Sequence, residues 1–171
     1  QHVLLETVAD LVEAFVNAPL VSAQALLNFV LMGAAGVGKS RLAARLAAVV
    51  GKLGLLAYDT LVEAGRSNFV AEYEGQTATK ARSFLMSNLE KVIFLDEAYS
   101  LTTYESDGAG DRTLSAYSAE ATTELVAFLS QRVGSTCFIA AGYENEMLND
   151  FLPANSGLPR RFPYRVWLQS Y

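Results

Sequence analysis

Gly33-Ala-Ala-Gly-Val-Gly-Lys-Ser40 sets glycines, one amine and one hydroxyl in the pattern G-x-x-x-x-G-K-[ST], which is the chemistry of a polyphosphate cradle. Gly33, Gly36 and Gly38 let the backbone adopt conformations closed to other residues and approach a phosphate closely. Backbone N–H groups along Gly33, Ala34, Ala35, Gly36, Val37, Gly38, Lys39, Ser40 and Arg41 then converge on the anion at a helix N-terminus, where the helix dipole adds to the attraction. In this pattern Lys39 reaches the β- and γ-phosphates of a bound nucleotide, and the Ser40 hydroxyl ligates Mg2+.

Hydrolysis needs two further groups, a carboxylate near the metal and a residue that orients water. Asp96 and Glu97 supply both at the end of Lys91-Val-Ile-Phe-Leu-Asp-Glu97, with Asp96 toward Mg2+ and Glu97 toward the attacking water. A strand-end acidic pair alone is often only a solvated turn. Together with the glycine loop it makes half of a catalytic centre.

Such groups need a frame. An apolar run over 26–32 predicts a strand before the loop, and 41–50, apolar at Leu42, Leu46 and Val49, predicts a helix after it. Further strands are expected at 53–59, 91–97, 135–141 and 162–168, and helices at 76–88, 119–131 and 144–151. Residues 60–75 and 101–117 read as long loops, a length that usually carries function. Strands alternating with helices imply a parallel sheet with helices on both faces, an α/β fold. Residues 3–16, apolar at Val8, Leu11, Val12 and Phe15, predict one more helix, in a lead-in of residues 1–23 ahead of a core over 24–171. Phe29, Phe94, Phe128, Phe138 and Trp167 fall in these elements and are expected in the core.

The chain of 171 residues is half apolar, with a net charge of −5 and scattered basic residues. It is long enough for one well-buried domain, and no basic face argues for nucleic acid. No apolar run is long enough to span a bilayer, and no signal peptide is recognisable at Gln1, so no membrane partner is expected. The single cysteine, Cys137, cannot form an internal disulfide and fits a reducing compartment. With no initiator Met, the chain reads as a piece of something longer.

Gly33–Ser40 resembles a Walker A motif, and Val92–Glu97 resembles the Walker B motif of AAA+ ATPases. Phe94-Leu-Asp-Glu-Ala-Tyr-Ser-Leu101, Ala140-Ala-Gly-Tyr143 and Asn155-Ser-Gly-Leu-Pro-Arg-Arg-Phe162 are similar to one branch of that family, the red-type Rubisco activase (CbbX/CfxQ) and stage V sporulation protein K. The resemblance runs from about residue 24 to the end. It implies a three-layer αβα P-loop NTPase core with a parallel five-stranded sheet, the AAA+ large subdomain with its helical lid absent. The implied activity is that of an Mg-dependent ATPase, acting in a homo-oligomeric, hexameric ring that remodels a protein client. The implied compartment is the cytoplasm or the plastid stroma.

The same resemblance assigns roles that spacing alone does not. Phe69–Thr77 is similar to a first pore loop, with Tyr73 as the gripping aromatic, Glu74 in place of the usual apolar residue, and Gly75. Arg160 and Arg161 match the arginine finger that reaches a neighbouring subunit's phosphates, Arg161 being the better match. The sensor position, commonly Asn or Thr, falls among Tyr143 to Asn145 and is given to no single residue. The loop over 101–117 suits a second pore loop or a partner contact. Two alternatives stay open from sequence: a non-catalytic nucleotide-sensing module, and another P-loop NTPase such as a small-molecule kinase. The absence of N-K-x-D argues against a GTPase.

Overall fold

The computed structural model describes residues 27–73, 75–106 and 111–169. The expected helix over 3–16 and the lead-in over 1–23 lie outside the described residues. Five parallel strands form the central sheet: β1 (Phe29–Met32), β2 (Leu61–Ala64), β3 (Val92–Leu95), β6 (Cys137–Gly142) and β7 (Tyr164–Trp167), in the order β2-β3-β6-β1-β7. A separate antiparallel hairpin joins β4 (Tyr104–Ser106) to β5 (Arg112–Leu114). Every residue of β1, β3 and β6 is buried, which explains their nearly continuous apolar sequences.

Side-chain alternation divides the core between the two faces of the sheet. Phe29, Leu31, Val92, Phe94 and Ile139 pack beneath helix α1 (Lys39–Lys52), which buries Leu42, Ala43, Leu46, Ala47 and Val50. Val30, Met32, Ile93, Leu95 and Phe138 face the other layer. That layer holds α2 (Arg66–Phe69), α3 (Thr77–Ser87) and α4 (Ala116–Gln131). Ser115 caps α4 by accepting the Ser118 N–H at 3.3 Å. Cys137 is buried as expected, and its apolar surroundings push the thiol well above its ordinary value.

Several boundaries differ from expectation. The predicted strand over 53–59 is instead the unwinding end of α1. Leu53, Gly54 and Leu55 donate back to Val49, Gly51 and Val50 carbonyls, and Gly54 takes φ 66°, which ends the helix in a turn. Only Leu56 of this apolar run plugs the core, while Leu53 and Leu55 are exposed. The strand follows at Leu61–Ala64, inside the segment expected to be loop, where Leu61 and Glu63 share the α1 face and Ala64 enters the opposite core.

The loop expected over 101–117 holds the hairpin and the start of α4. The hairpin is fastened by Arg112 to Asp150 (2.8 Å), by the Tyr104 hydroxyl to the Asp150 carbonyl (2.9 Å), and by Arg112 stacking on Tyr104. The helix expected over 144–151 becomes α5 (Glu144–Glu146) and then a wider π-type turn, Met147–Phe151. Helix α6 (Leu158–Arg161) precedes β7. Phe29, Phe94, Phe128 and Phe138 are in the core, but Trp167 is 52% exposed. It lies on edge strand β7, next to buried Val166, and its indole N–H donates to Glu144 Oε1 at 2.9 Å.

Candidate active site

The strand order decides where the chemistry meets. Parallel strands β3, β6 and β1 are adjacent, so the turns leaving their carboxyl ends open onto one crevice. The glycine loop leaves β1, the acidic pair leaves β3, and Gly142–Tyr143 ends β6 between them. Lys39, Ser40, Asp96, Glu97, Tyr99 and Tyr143 line a single cavity there, with Ala35, Gly36, Gly38 and Arg41 on the loop side. Gly33, Ala34 and Val37 form the base of the loop rather than its lining: Gly33 N–H donates to the Gly142 carbonyl at 3.2 Å.

The glycines are required by position. Gly36 and Gly38 have φ of 77° and 100°, the left-handed region that side chains disfavour. A Cβ on Gly33 would sit 2.5 Å from the Leu168 carbonyl oxygen, and one on Gly142 would sit 2.8 Å from both Met147 Sδ and Tyr99 Cδ1. These contacts hold the loop's base against the ends of β6 and β7.

Lys39 donates to the Gly33 and Ala34 carbonyl oxygens, both at 2.8 Å, and its ammonium stands 5.4 Å from the centroid of the Tyr143 ring. A phosphate is a stronger acceptor for a cation than an amide carbonyl, so these bonds are exchangeable for ones to a ligand. Asp96 Oδ1 accepts the Glu97 N–H at 3.0 Å, which orients the carboxylate at the end of β3. Glu97 has φ 49° and ψ 49°, a left-handed conformation that costs a non-glycine residue of order 1–3 kcal/mol. The kink turns the chain into the 3-10 turn Ala98–Leu101 and leaves Glu97 exposed on the cavity wall.

Ser40 and Asp96 also share an adjoining cavity with Glu63 and Phe94. A hydroxyl and carboxylates are hard oxygen donors that suit Mg2+, whose remaining positions go to water and phosphate. Among the described residues no group of three or more His, Cys, Asp or Glu is gathered, and Mg2+ needs none where phosphate oxygens complete its shell. The residues present therefore fit the metal, and the glycine loop fits the triphosphate.

Tyr99 stacks on Tyr143 with ring centroids 6.1 Å apart and planes inclined 28°. Burial, then the negative charge of Glu97, pushes the Tyr99 hydroxyl up to about 12, so it remains a neutral donor at physiological pH. Sequence reasoning assigned nothing to Tyr99, Gly142 or Glu63. Tyr99 lay two residues beyond Glu97 in a quoted motif, but its direction depends on the 3-10 turn. Glu63 was hidden by the misplaced second strand.

The remaining candidates lie away from this cavity. Arg161 is half-buried and donates to Ser130 Oγ (2.7 Å) and the Gly157 carbonyl (3.1 Å), while Arg160 is exposed. Tyr73 is 68% exposed on the connection between α2 and α3, and Gly75 beside it takes φ 74°. Glu74 lies outside the described residues. Thr77 Oγ1 accepts the Ala71 N–H at 3.1 Å and Lys80 donates to the Val70 carbonyl at 3.0 Å, fastening both ends of this connection. Among the described residues no helix is long and apolar enough to cross a membrane.

Residues 29–168 match the family described as "ATPase family associated with various cellular activities (AAA)". Among curated proteins the chain is 36% identical over 149 residues to "ESX-1 secretion system protein EccA1" of Mycolicibacterium smegmatis, an alignment covering 87% of this chain and 25% of that protein. It is 32% identical over 144 residues to "ESX-2 secretion system protein EccA2" of Mycobacterium tuberculosis, covering 84% of this chain and 22% of that protein. The Mycobacterium leprae EccA1 is 36% identical over 149 residues, again 87% of this chain and 25% of the relative. The chain thus spans about a quarter of the length of these relatives. They are secretion-system proteins, not Rubisco activase or stage V sporulation protein K, so the resemblance read from sequence holds at the level of the AAA family.

Proposed function

Because this chain belongs to the AAA family of ATPases, we propose that it binds ATP with Mg2+ and hydrolyses it, and that the cycle drives remodelling of a protein client within a homo-oligomeric ring. The observation that carries the reading is the single cavity lined by Lys39, Ser40, Asp96 and Glu97. Lys39 leaves its loop carbonyls to neutralise the β- and γ-phosphate oxygens. Ser40 and Asp96 are the side chains that would hold Mg2+, which when bound offsets charge on the phosphates. Glu97 orients the attacking water and accepts its proton as the bond to phosphorus forms. The leaving group is ADP, and phosphate is released.

Oligomerisation is supported by the family and by the arginine pair at 160–161, which lines no part of its own subunit's cavity. Arg160, the exposed member, joins Arg161 as a candidate finger for a neighbouring site. A hexamer is the ring size we propose, with Tyr73, Glu74 and Gly75 lining the client path. Kinship to secretion-system proteins favours a client handled in protein export over a Rubisco-activase task. The compartment we propose is the cytoplasm or the plastid stroma, on the ground of the single cysteine, Cys137. The kinship leaves the finer branch, activase-like and sporulation-like, as a proposal.

The test is ATP turnover and nucleotide binding by the full-length protein beside its Glu97→Gln form. Glu97→Gln is expected to retain binding and lose roughly two or more orders of magnitude in kcat. Equal turnover by the two proteins would remove Glu97 from the mechanism. Absence of turnover in both, with binding intact, would leave a nucleotide-sensing module instead.

A further inference from the structure

We propose that Tyr143 and Tyr99 are a coupled pair of positioning residues that tie the setting of Lys39 to that of Glu97. The inference rests on the ATPase reading and deepens it. Lys39, Tyr143 and Tyr99 follow one another along the cavity wall, and Glu97 shares the turn that carries Tyr99. The Lys39 ammonium faces the Tyr143 ring at 5.4 Å, Tyr143 stacks on Tyr99 at 6.1 Å, and Tyr99 lies two residues beyond Glu97 in the same tight turn. That turn is closed by the Ser100 N–H donating to the Glu97 carbonyl at 2.7 Å. Tyr99 and Glu97 line the same cavity, and the negative charge of Glu97 adds to burial in raising the Tyr99 hydroxyl.

These groups have little room to rearrange independently. Gly142 precedes Tyr143, and any side chain there would strike Tyr99 Cδ1 and Met147 Sδ, both at 2.8 Å from its Cβ. Tyr99 is therefore pressed against the end of β6, from which Tyr143 departs. On the other side, two Lys39 N–H groups are taken by Gly33 and Ala34 carbonyls at 2.8 Å, and the aromatic face flanks the same ammonium. When an arriving phosphate draws the lysine from its carbonyls, the π face remains alongside and limits where the ammonium settles. A shift of Tyr143 is felt by the stacked Tyr99, which shares its tight turn and its cavity wall with Glu97. The water-orienting group is thus set by the state of the phosphate-binding group.

Substitutions separate ring from hydroxyl, read in the full-length protein by fluorescent-ATP binding and by steady-state turnover. Tyr143→Leu removes the π face and is expected to weaken binding about 3- to 10-fold, while Tyr143→Phe keeps the face and binds within about twofold of wild type. Tyr99→Phe keeps the stack but not the donor, and is expected to lower kcat about tenfold with binding changed less than about twofold. In the Tyr143→Leu/Tyr99→Phe double variant the loss in kcat is expected to be smaller than the product of the single losses, because the two act through one stack.

Wild-type binding by Tyr143→Leu, failure of Tyr143→Phe to restore it, wild-type kcat in Tyr99→Phe, or a strictly multiplicative double variant would each overturn the proposal. Melting curves accompany every variant, and Tyr143→Met, which keeps bulk without the π face, replaces Tyr143→Leu should the latter unfold. Wild-type turnover by Glu97→Gln would overturn the Glu97 assignment and the Tyr99 half with it. The Tyr143 binding ratio would still report on Lys39, so the two failures are distinguishable.

Discussion

At the scale of single residues, the centre depends on groups whose environments are set by the ends of strands. Glu97 takes a strained left-handed conformation just after the chain leaves a fully buried strand, and the kink leaves it on the wall of the cavity that the glycine loop also lines. Cys137 illustrates the opposite case, a titratable group with no part in the chemistry. Its thiol is pushed up from an ordinary value of 9.0 because burial disfavours the thiolate. A raised folded-state value means that its contribution to stability is complete below the unfolded value and is lost as pH rises above about 9. Denaturant unfolding of wild type and Cys137→Ala from pH 7 to 10 is expected to show the steeper alkaline loss in wild type, by up to about 1.4 kcal/mol per pH unit. Parallel curves would show that the thiol titrates in the folded state as it does in the unfolded one.

At the scale of elements, one buried side chain joins the sheet to the arginine helix. Asn28, just ahead of β1, accepts the Phe138 N–H at 3.0 Å through Oδ1 and donates through Nδ2 to the Arg161 carbonyl at 2.8 Å. Replacing it with Ala strands a buried backbone N–H and frees the end of α6, which is expected to cost about 1–3 kcal/mol and lower Tm by several degrees. Asn28→Asp sets a buried carboxylate against the Arg161 carbonyl, and its loss is expected to grow as pH rises and the carboxyl ionises. Unchanged melting in Asn28→Ala would mean that neither bond contributes.

Much of this scale was legible beforehand. The glycine loop between strand and helix, the strand carrying Asp96 and Glu97, and a parallel sheet covered by helices were expected from local sequence, and the count of five strands from the family resemblance. The second strand was not, because Leu53, Leu55 and Leu56 imitate a buried strand while Gly51 and Gly54 wind that segment into a helix end. Trp167 was expected in the core because its composition suits one, but its edge position leaves it without a covering layer among the described residues.

At the scale of the whole molecule, the proposed ring requires one subunit's arginine to act in another's cavity. In this structure Arg161 is bound within its own subunit to Ser130 and Gly157, whereas Arg160 is exposed. Mixing supplies the check. Glu97→Gln subunits keep their arginines but lack the proposed base, and Arg160→Ala/Arg161→Ala subunits keep the proposed base but lack the arginines. An equimolar mixture of the two inactive proteins is expected to regain ATP turnover, up to roughly a quarter of wild type if subunits assemble at random and sites fire independently. No recovery from mixtures that demonstrably co-assemble would place both arginines in a purely structural role.

Local sequence by itself determined the phosphate loop, the acidic pair, the parallel α/β frame and the burial of Cys137. Each of these depends on neighbours within one element or on apolar periodicity, which a chain carries wherever it folds. Tertiary structure decided which strand ends lie side by side, and so which residues share a cavity. Tyr99, Gly142 and Tyr143 join Lys39 and Glu97 only because β6 lies between β1 and β3. That adjacency comes from pairing strands distant in sequence, a long-range energy balance that no local pattern encodes.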